Sequence, residues 1–450
     1  MKYNNISLGL ILMIVLCFNS SCKKELEIKS DKSLSAITTL EDAQAVLDQT
    51  STTAIEPASE ECSSDNYYLT TTSFNALAAS TNRSIYIWDT YNLFSGITSD
   101  WGIAYKKVYY CNAVLDAMKK IPSTNVSEWN NVEGQALFKR GKSFWHVADI
   151  WALAFDDATA DKDLGIPLRL NSDFNEVSVR ASVRESYSQI IKDLKEAAQL
   201  LPAVPLHPIR PSKPAAYALL SRVFLSMRRY SEAKVYADSA LSIFPALLDY
   251  NNVNATPTYP FSNPNVESIY VATAGSSLLT PTNAKIDSNL IALYSTNDLR
   301  KTLFFKSLGN NQYSFRGSYS NSNNHFSGLS SSEMYLIRAE CFAREGNKTD
   351  ALNDLNTLLI KRYKSGTFIP VTASDASEAL GKILTERRKE LAFRFTRWMD
   401  IKRLNKEGAN IFLKRIVNVQ LYELQPNSLR YAMAFPEDII SISGMQQNPR

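Results

Sequence analysis

Histidine is scarce in this 450-residue chain, with only His146, His207 and His325. No two of them stand at metal-ligand spacing, which removes the usual histidine-built metal centres. The HExxH, phosphate-loop, dinucleotide and GxSxG patterns are missing too, so no familiar catalytic signature is present. Of five cysteines, Cys62, Cys111 and Cys341 stand at a spacing that fits neither a disulfide framework nor a metal site. Cys111 and Cys341 fall on apolar helix faces and read as buried, inert thiols. An excess of one charge is also lacking. Lys and Arg total 49 against 45 Asp and Glu, a formal balance of +4, which argues against nucleic acid as the main partner. The apolar run Ile6 to Phe18 is too short to span a bilayer. No metal and no cofactor is expected.

That short run has another use. Lys2 precedes it, and Asn19, Ser20, Ser21 and then Cys22 follow it, the layout of a cleaved secretory segment. Residues 1–21 read as a lipoprotein signal peptide and Cys22 as the lipidated first residue of the mature chain. Because a single acyl chain binds membranes only marginally, firm anchoring requires Cys22 to carry several. Residues 22–38 then form a tether, extended over Leu26 to Ser35.

Thr39 to Gln49 reads as a short helix with a threonine cap. Residues 50 to 100 are rich in Ser, Thr, Asn and aromatics without periodicity, and read as loops with one short strand around Ile85 to Trp88. From Trp101 the pattern becomes helical. Ala104, Val108, Cys111, Leu115 and Met118 recur at helical spacing, and Val132 to Ala154 forms the antiparallel partner. Asp156, Asp157, Asp161 and Asp163 cluster before Gly165 in a spacing that fails a calcium loop, and read as a solvated turn. A third helix, Arg184 to Leu201, stops at Pro202. Tyr217, Leu220, Ser221, Phe224, Tyr230, Ala233, Ala237, Ala240 and Pro245 follow tetratricopeptide spacing, and Tyr335, Ala339, Phe342, Gly346, Ala351 and Leu355 repeat it. Between these hairpins, about 247–331 is dense in Asn, Ser, Thr and aromatics and has no long helix. A loop region that long inside a compact body is usually functional. Ile383 to Leu404 reads as one charged helix, with Leu391, Phe395, Trp398 and Ile401 as its buried stripe and its basic residues in intrahelical ion pairs.

The stretch EMYLIRAECFAREGNKTDALNDLNTLLIKR from Glu333, followed by ILTERRKELAFRFTRWMDIKRL to Leu404, resembles the SusD/RagB family when read with Cys22. The Glu-Arg-Arg, aliphatic-aromatic pair and Arg-Trp of the second half carry the resemblance, as does the order of the two halves near the C-terminus. It implies a mostly α fold, a right-handed tetratricopeptide-like stack of about four helical pairs with a loop-rich, irregular subdomain bearing short strands. Residues 39–450 would form a single SusD-like body, with pairs at about 101–154, 184–245, 333–363 and 376–407. The implied function is a cell-surface lipoprotein, anchored in the outer membrane, that captures oligosaccharides and hands them to a SusC-like TonB-dependent transporter without catalysis. The RagB branch implies peptide as the alternative cargo. A secreted helical glycoside hydrolase is a further reading, since carboxylate pairs meet only in space. An intracellular repeat scaffold conflicts with the leader.

A sugar presents apolar C–H faces and ringed hydroxyls, so its site calls for flat aromatics beside amide or guanidinium groups. Two stretches have that mixture. The first holds Asn82, Arg83, Tyr86, Trp88, Tyr91 and Asn92, and the second Tyr294, Asn311, Tyr313, Arg316 and Tyr319. The resemblance implies that these two regions converge on the ligand face.

Overall fold

The computed structural model describes residues 37–49, 55–96 and 98–450. The leader, Cys22 and the tether Leu26 to Ser35 lie outside the described residues. The first helix, α1 (Leu40–Asp48), starts where its sequence says. Thr39 accepts from the Asp42 amide, and the Asp42 carboxylate reaches back to the Thr39 amide in a complete capping box. The loops that follow are built of short elements: α2 (Ser59–Cys62), a strand Tyr67–Leu69 and α3 (Ser80–Tyr86). The strand expected around Ile85 to Trp88 is thus a helix end. Ile85 and Tyr86 are apolar neighbours that both turn inward, and Trp88 leaves the helix with a left-handed φ of 54°.

The helical body is long and paired. α4 (Asp100–Met118) and α5 (Val126–Trp151) pack antiparallel, and α6 (Val183–Leu200) packs on α5. Next come α7 (Lys213–Ser226) with α8 (Tyr230–Ile243), then α9 (Ser331–Arg344) with α10 (Lys348–Leu359). Small residues let paired axes approach. Ala233, Ala237 and Ala240 are fully buried, and the Ser221 hydroxyl donates to the Ala233 carbonyl at 2.9 Å across the pair. Phe224 and Tyr236 stack with parallel rings 5.5 Å apart in the groove between them. Gly346 makes the α9–α10 turn at φ +84° with open space around it, where a side chain would be strained. The protein is mostly helical with small sheets of two or three strands, the tetratricopeptide-like fold expected.

The expected helix Ile383 to Leu404 is two helices, α11 (Ala376–Glu390) and α12 (Arg397–Asn405). Between them Phe393 and Phe395 take φ of 59° and 58°. Both rings are buried, so packing of the aromatics outweighs the backbone cost of the left-handed region. Leu391, Phe395, Trp398 and Ile401 are buried as the stripe requires. The ion pairs are mostly not intrahelical. Arg397 binds Asp65 at 2.7 Å, Arg403 binds Glu340 at 2.6 Å and Arg387 crosses the break to Asp400 at 2.8 Å.

The region 247–331 holds only short helices and strands. Its strand Leu329–Ser330 pairs antiparallel with Ser268–Tyr270, and Gly328 just before it lets the chains touch. A Cβ there would lie 2.0 Å from the Tyr270 carbonyl oxygen. Gly328→Ala is therefore expected to lower stability by about 2 kcal/mol through forced backbone movement, read as a lower urea midpoint.

Candidate functional site

Of the eleven residues singled out from sequence, four are core. Tyr86 is fully buried and its hydroxyl accepts from the Leu69 amide at 2.7 Å. Trp88, 4% exposed, donates its indole N–H to the Ser63 carbonyl at 3.0 Å. Arg415 lies against both rings, 3.9 and 4.5 Å from their centroids, so these aromatics clamp a buried cation. Tyr294 is buried and donates to the Lys389 carbonyl at 2.8 Å. Tyr319 is fully buried, donates to Glu267 at 2.8 Å and has Arg394 stacked on its face. These four correct the expectation: their polar tips are satisfied internally and their faces are unavailable to a ligand.

Others serve the loops. Arg83 donates to the Leu77 carbonyl, and Arg316 donates at 2.6 Å to the carbonyls of Ala255 and Pro257. Asn311, with Asn310, forms the left-handed two-residue turn joining strands Phe305–Gly309 and Gln312–Phe315. Tyr313 packs half-buried on the core. Asn92 donates its amide to Glu437 at 3.1 Å. Tyr91 is 67% exposed and lies under the Arg450 guanidinium.

Asn82 has a different setting. Its side-chain amide donates to the Ser277 hydroxyl at 2.7 Å, joining the first loop region to the second. Around this junction opens a cleft of two adjoining lobes, about 380 and 350 Å³. The rib Gly275, Ser276, Ser277 lines both. One lobe is walled by Thr81, Asn82, Thr98, Ser99 and Asp100, the other by Thr280, Asn323 and Asn324. The two loop regions do meet, but through Gly275–Ser277 and Asn323–Asn324, not through 294–319. The runs Gly275-Ser276-Ser277 and Asn321 to Asn324 were the available signal: small polar residues, dense, between apolar segments.

Glu56, between the lining residues Ile55 and Ala58, heads a group of buried charges. Glu56 is held by Lys107 at 2.7 Å and Lys142 at 2.9 Å. Lys142 also approaches His146 Nε2 at 2.9 Å, and His146 Nδ1 lies 3.0 Å from Glu60. Burial first, then the Lys142 ammonium, hold the imidazole well below its ordinary pKa. A neutral ring that accepts from Lys142 at Nε2 must carry its proton on Nδ1 and donate it to Glu60. His146 is thus fully buried and ties α5 to α2.

A second depression, about 290 Å³, lies between α4, the loop after strand Leu164–Pro167 and a late helix, Glu437–Ser443. It is walled by Tyr105, Tyr109, Phe174 and Ile442, among others. Its polar side chains are spent on the loop: Arg169 donates to the carbonyls of Asp173 and Glu176, and Asn112 to those of Arg169 and Asn171. Its lining is mainly apolar, unlike that of the larger polar lobe. Elsewhere the Asp156–Asp163 turn is answered by Arg184, Arg229 and Lys406. Cys62, Cys111 and Cys341 are buried and unpaired, with burial pushing the Cys111 thiol up to about 11. Among the described residues no helix is long and apolar enough to cross a membrane.

Tetratricopeptide-like pairs bearing a polar cleft on a loop-rich face define the class as SusD-like. The chain belongs to the SusD/RagB family. A family model described as starch-binding and associating with the outer membrane matches residues 24–225, and the SusD family model matches 278–438. No curated protein matches. Among solved structures, a SusD superfamily protein from Bacteroides thetaiotaomicron is 21% identical, with 92% of this chain and 100% of that one covered and a TM-score of 0.75. A SusD-like carbohydrate binding protein from Bacteroides vulgatus is 22% identical, with coverages of 90% and 96% and a TM-score of 0.69. A laminarin binding SusD-like protein is 14% identical, with coverages of 91% and 98% and a TM-score of 0.64. At these identities the likeness concerns the fold.

Proposed function

We propose that this protein captures oligosaccharides at the outer-membrane surface and passes them to a SusC-like TonB-dependent transporter, without chemistry of its own. The observation that carries this reading is the polar cleft, where hydroxyl and amide side chains from two distant loop regions line one open space. Such groups both donate and accept, as a sugar hydroxyl does. The family description as starch-binding and outer-membrane associated supports it, as does a protein of the same fold described as laminarin binding. Cleavage after Ser21 and acylation of Cys22 would supply the anchor, with 22–38 as tether and 39–450 as one body. Asp100 is the single carboxylate among the described residues lining either lobe. Glycoside hydrolysis calls for a pair, so the cleft supports binding over cleavage.

Affinity electrophoresis against a polysaccharide panel tests this directly. At least one polymer should retard the protein, and Asn324→Ala should weaken that retardation about tenfold, the value of one lost hydrogen bond of about 1.4 kcal/mol. Trp88→Ala, by contrast, should reduce stability and leave the affinity of the folded fraction unchanged. Release of reducing sugar, or capture of peptide pools with no glycan retarded, would overturn the proposal.

A further inference from the structure

The charge pattern of the same cleft carries a further conclusion, which rests on the glycan-binding reading. Among the described residues lining the two lobes there is no lysine, arginine or histidine. The one charged lining group is Asp100, and its hydrogen bonds are lopsided. The amides of Ala58 and Ser59 donate to Oδ2 at 2.9 and 2.8 Å, and the Ser59 hydroxyl donates to the same oxygen. Among the described residues no donor reaches Oδ1, and the partly buried residue lines the cleft wall. Three donors on one oxygen fix the carboxylate, so the other oxygen is presented as a pre-oriented acceptor. The N-terminus of α4, which would otherwise attract an anion, has Asp100 as its own first-turn acid, so its partial positive charge is already met.

We infer that the cleft selects its glycan by charge, accepting uncharged polyhydroxylated chains through Asp100 Oδ1 and rejecting uronate- or sulfate-bearing ones. A ligand hydroxyl donates to Oδ1 and gains a charge-assisted hydrogen bond. A ligand carboxylate or sulfate at the same place has no proton to donate and meets a like charge, with no lysine, arginine or histidine among the described lining residues to offset it.

The experiment is affinity electrophoresis of the protein in gels containing uncharged polymers (laminarin, dextran, galactomannan) or acidic ones (polygalacturonate, alginate, chondroitin sulfate). At least one uncharged polymer should retard it, and every acidic polymer should do so at least about tenfold more weakly. Asp100→Asn should narrow that gap by weakening the uncharged polymer and admitting the acidic one. Should that variant fail to fold, the wild-type protein still decides, because high salt should strengthen retardation by the acidic polymers and leave that by the uncharged polymer unchanged. An acidic polymer bound as tightly as the best uncharged one would overturn charge selection and leave glycan binding standing. Retardation by none would remove both.

Discussion

Arg362→Met should cost about 3–5 kcal/mol of stability, the range for leaving a buried ion cluster with an uncompensated charge. Arg362 is fully buried. Its guanidinium donates to Glu390 at 2.8 and 3.0 Å, to Glu267 at 2.7 Å and to the Leu248 carbonyl at 2.7 Å. Arg300 extends the cluster through Glu390 at 3.1 Å, Asp298 at 2.8 Å and Glu386 at 2.7 Å, and Lys389 closes it on Asp298 at 3.0 Å. Burial pushes the Glu390 carboxyl upward, but the guanidiniums of Arg362 and Arg300 outweigh it and hold the group below its ordinary range. Met fills the space of the arginine stem and removes the charge, so Glu390 is left with Arg300 and the more distant Arg394, and Glu267 with the Tyr319 hydroxyl and the Leu248 amide. The cluster ties the end of α10 and the end of α11 to the loop region, because Glu267 also accepts from Tyr319 and the Leu248 amide. A domain of this kind has only about 5–15 kcal/mol in total, so the denaturant midpoint should fall steeply. A midpoint unchanged within error would mean that the cluster contributes specificity and no net stability.

What the sequence made readable was what repeats. The tetratricopeptide hairpins at 213–243 and 331–359 show the helical period of their apolar positions, and Gly346 marks a turn. The break at 391–396 left no trace, because Leu391, Phe395, Trp398 and Ile401 keep helical phase across it and no glycine flags the left-handed residues. The site was harder for a related reason. Aromatic and polar residues in alternation describe a sugar platform and a loop-built core equally well. Tyr86, Trp88, Tyr294 and Tyr319 belong to the core because each polar tip finds a backbone or carboxylate partner inside. The cleft depends on Asn82 meeting Ser277 across a separation of 195 residues, and spacing along a chain cannot encode that. Its serines and asparagines are the residue types that also build ordinary loops.

Raising the pH from 5 to 8 should weaken the fold, with Glu61 responsible for about 3 kcal/mol of the loss. Glu61 is fully buried beside the cleft floor. One oxygen accepts from Asn66 at 2.7 Å and Ser64 at 3.2 Å, and the other from the amide of Phe395 at 3.1 Å, so it holds the left-handed break between α11 and α12. Burial pushes its carboxyl up to about 7, against the pull of those hydrogen bonds. The sign follows from proton counting. Between the ordinary value of 4.5 and about 7 the folded protein keeps a proton that the unfolded chain has released. Stability therefore falls with rising pH across that window and is flat outside it as far as this group is concerned. At about 1.4 kcal/mol per pH unit, the window corresponds to about 3 kcal/mol. Glu60 and Asp149 are also raised by burial and act in the same direction, whereas neutral His146 acts oppositely below its ordinary value. Glu61→Gln isolates the contribution. Glutamine retains an acceptor for Asn66 and Ser64 and loses one for Phe395, a cost of about 1 kcal/mol that does not vary with pH. Urea titrations at pH 5 and pH 8 should show the wild-type difference shrinking by about 3 kcal/mol in the variant. An equal difference in both proteins would mean that Glu61 is already ionised in the folded state, and that the Phe395 amide is held by a carboxylate rather than by a carboxylic acid.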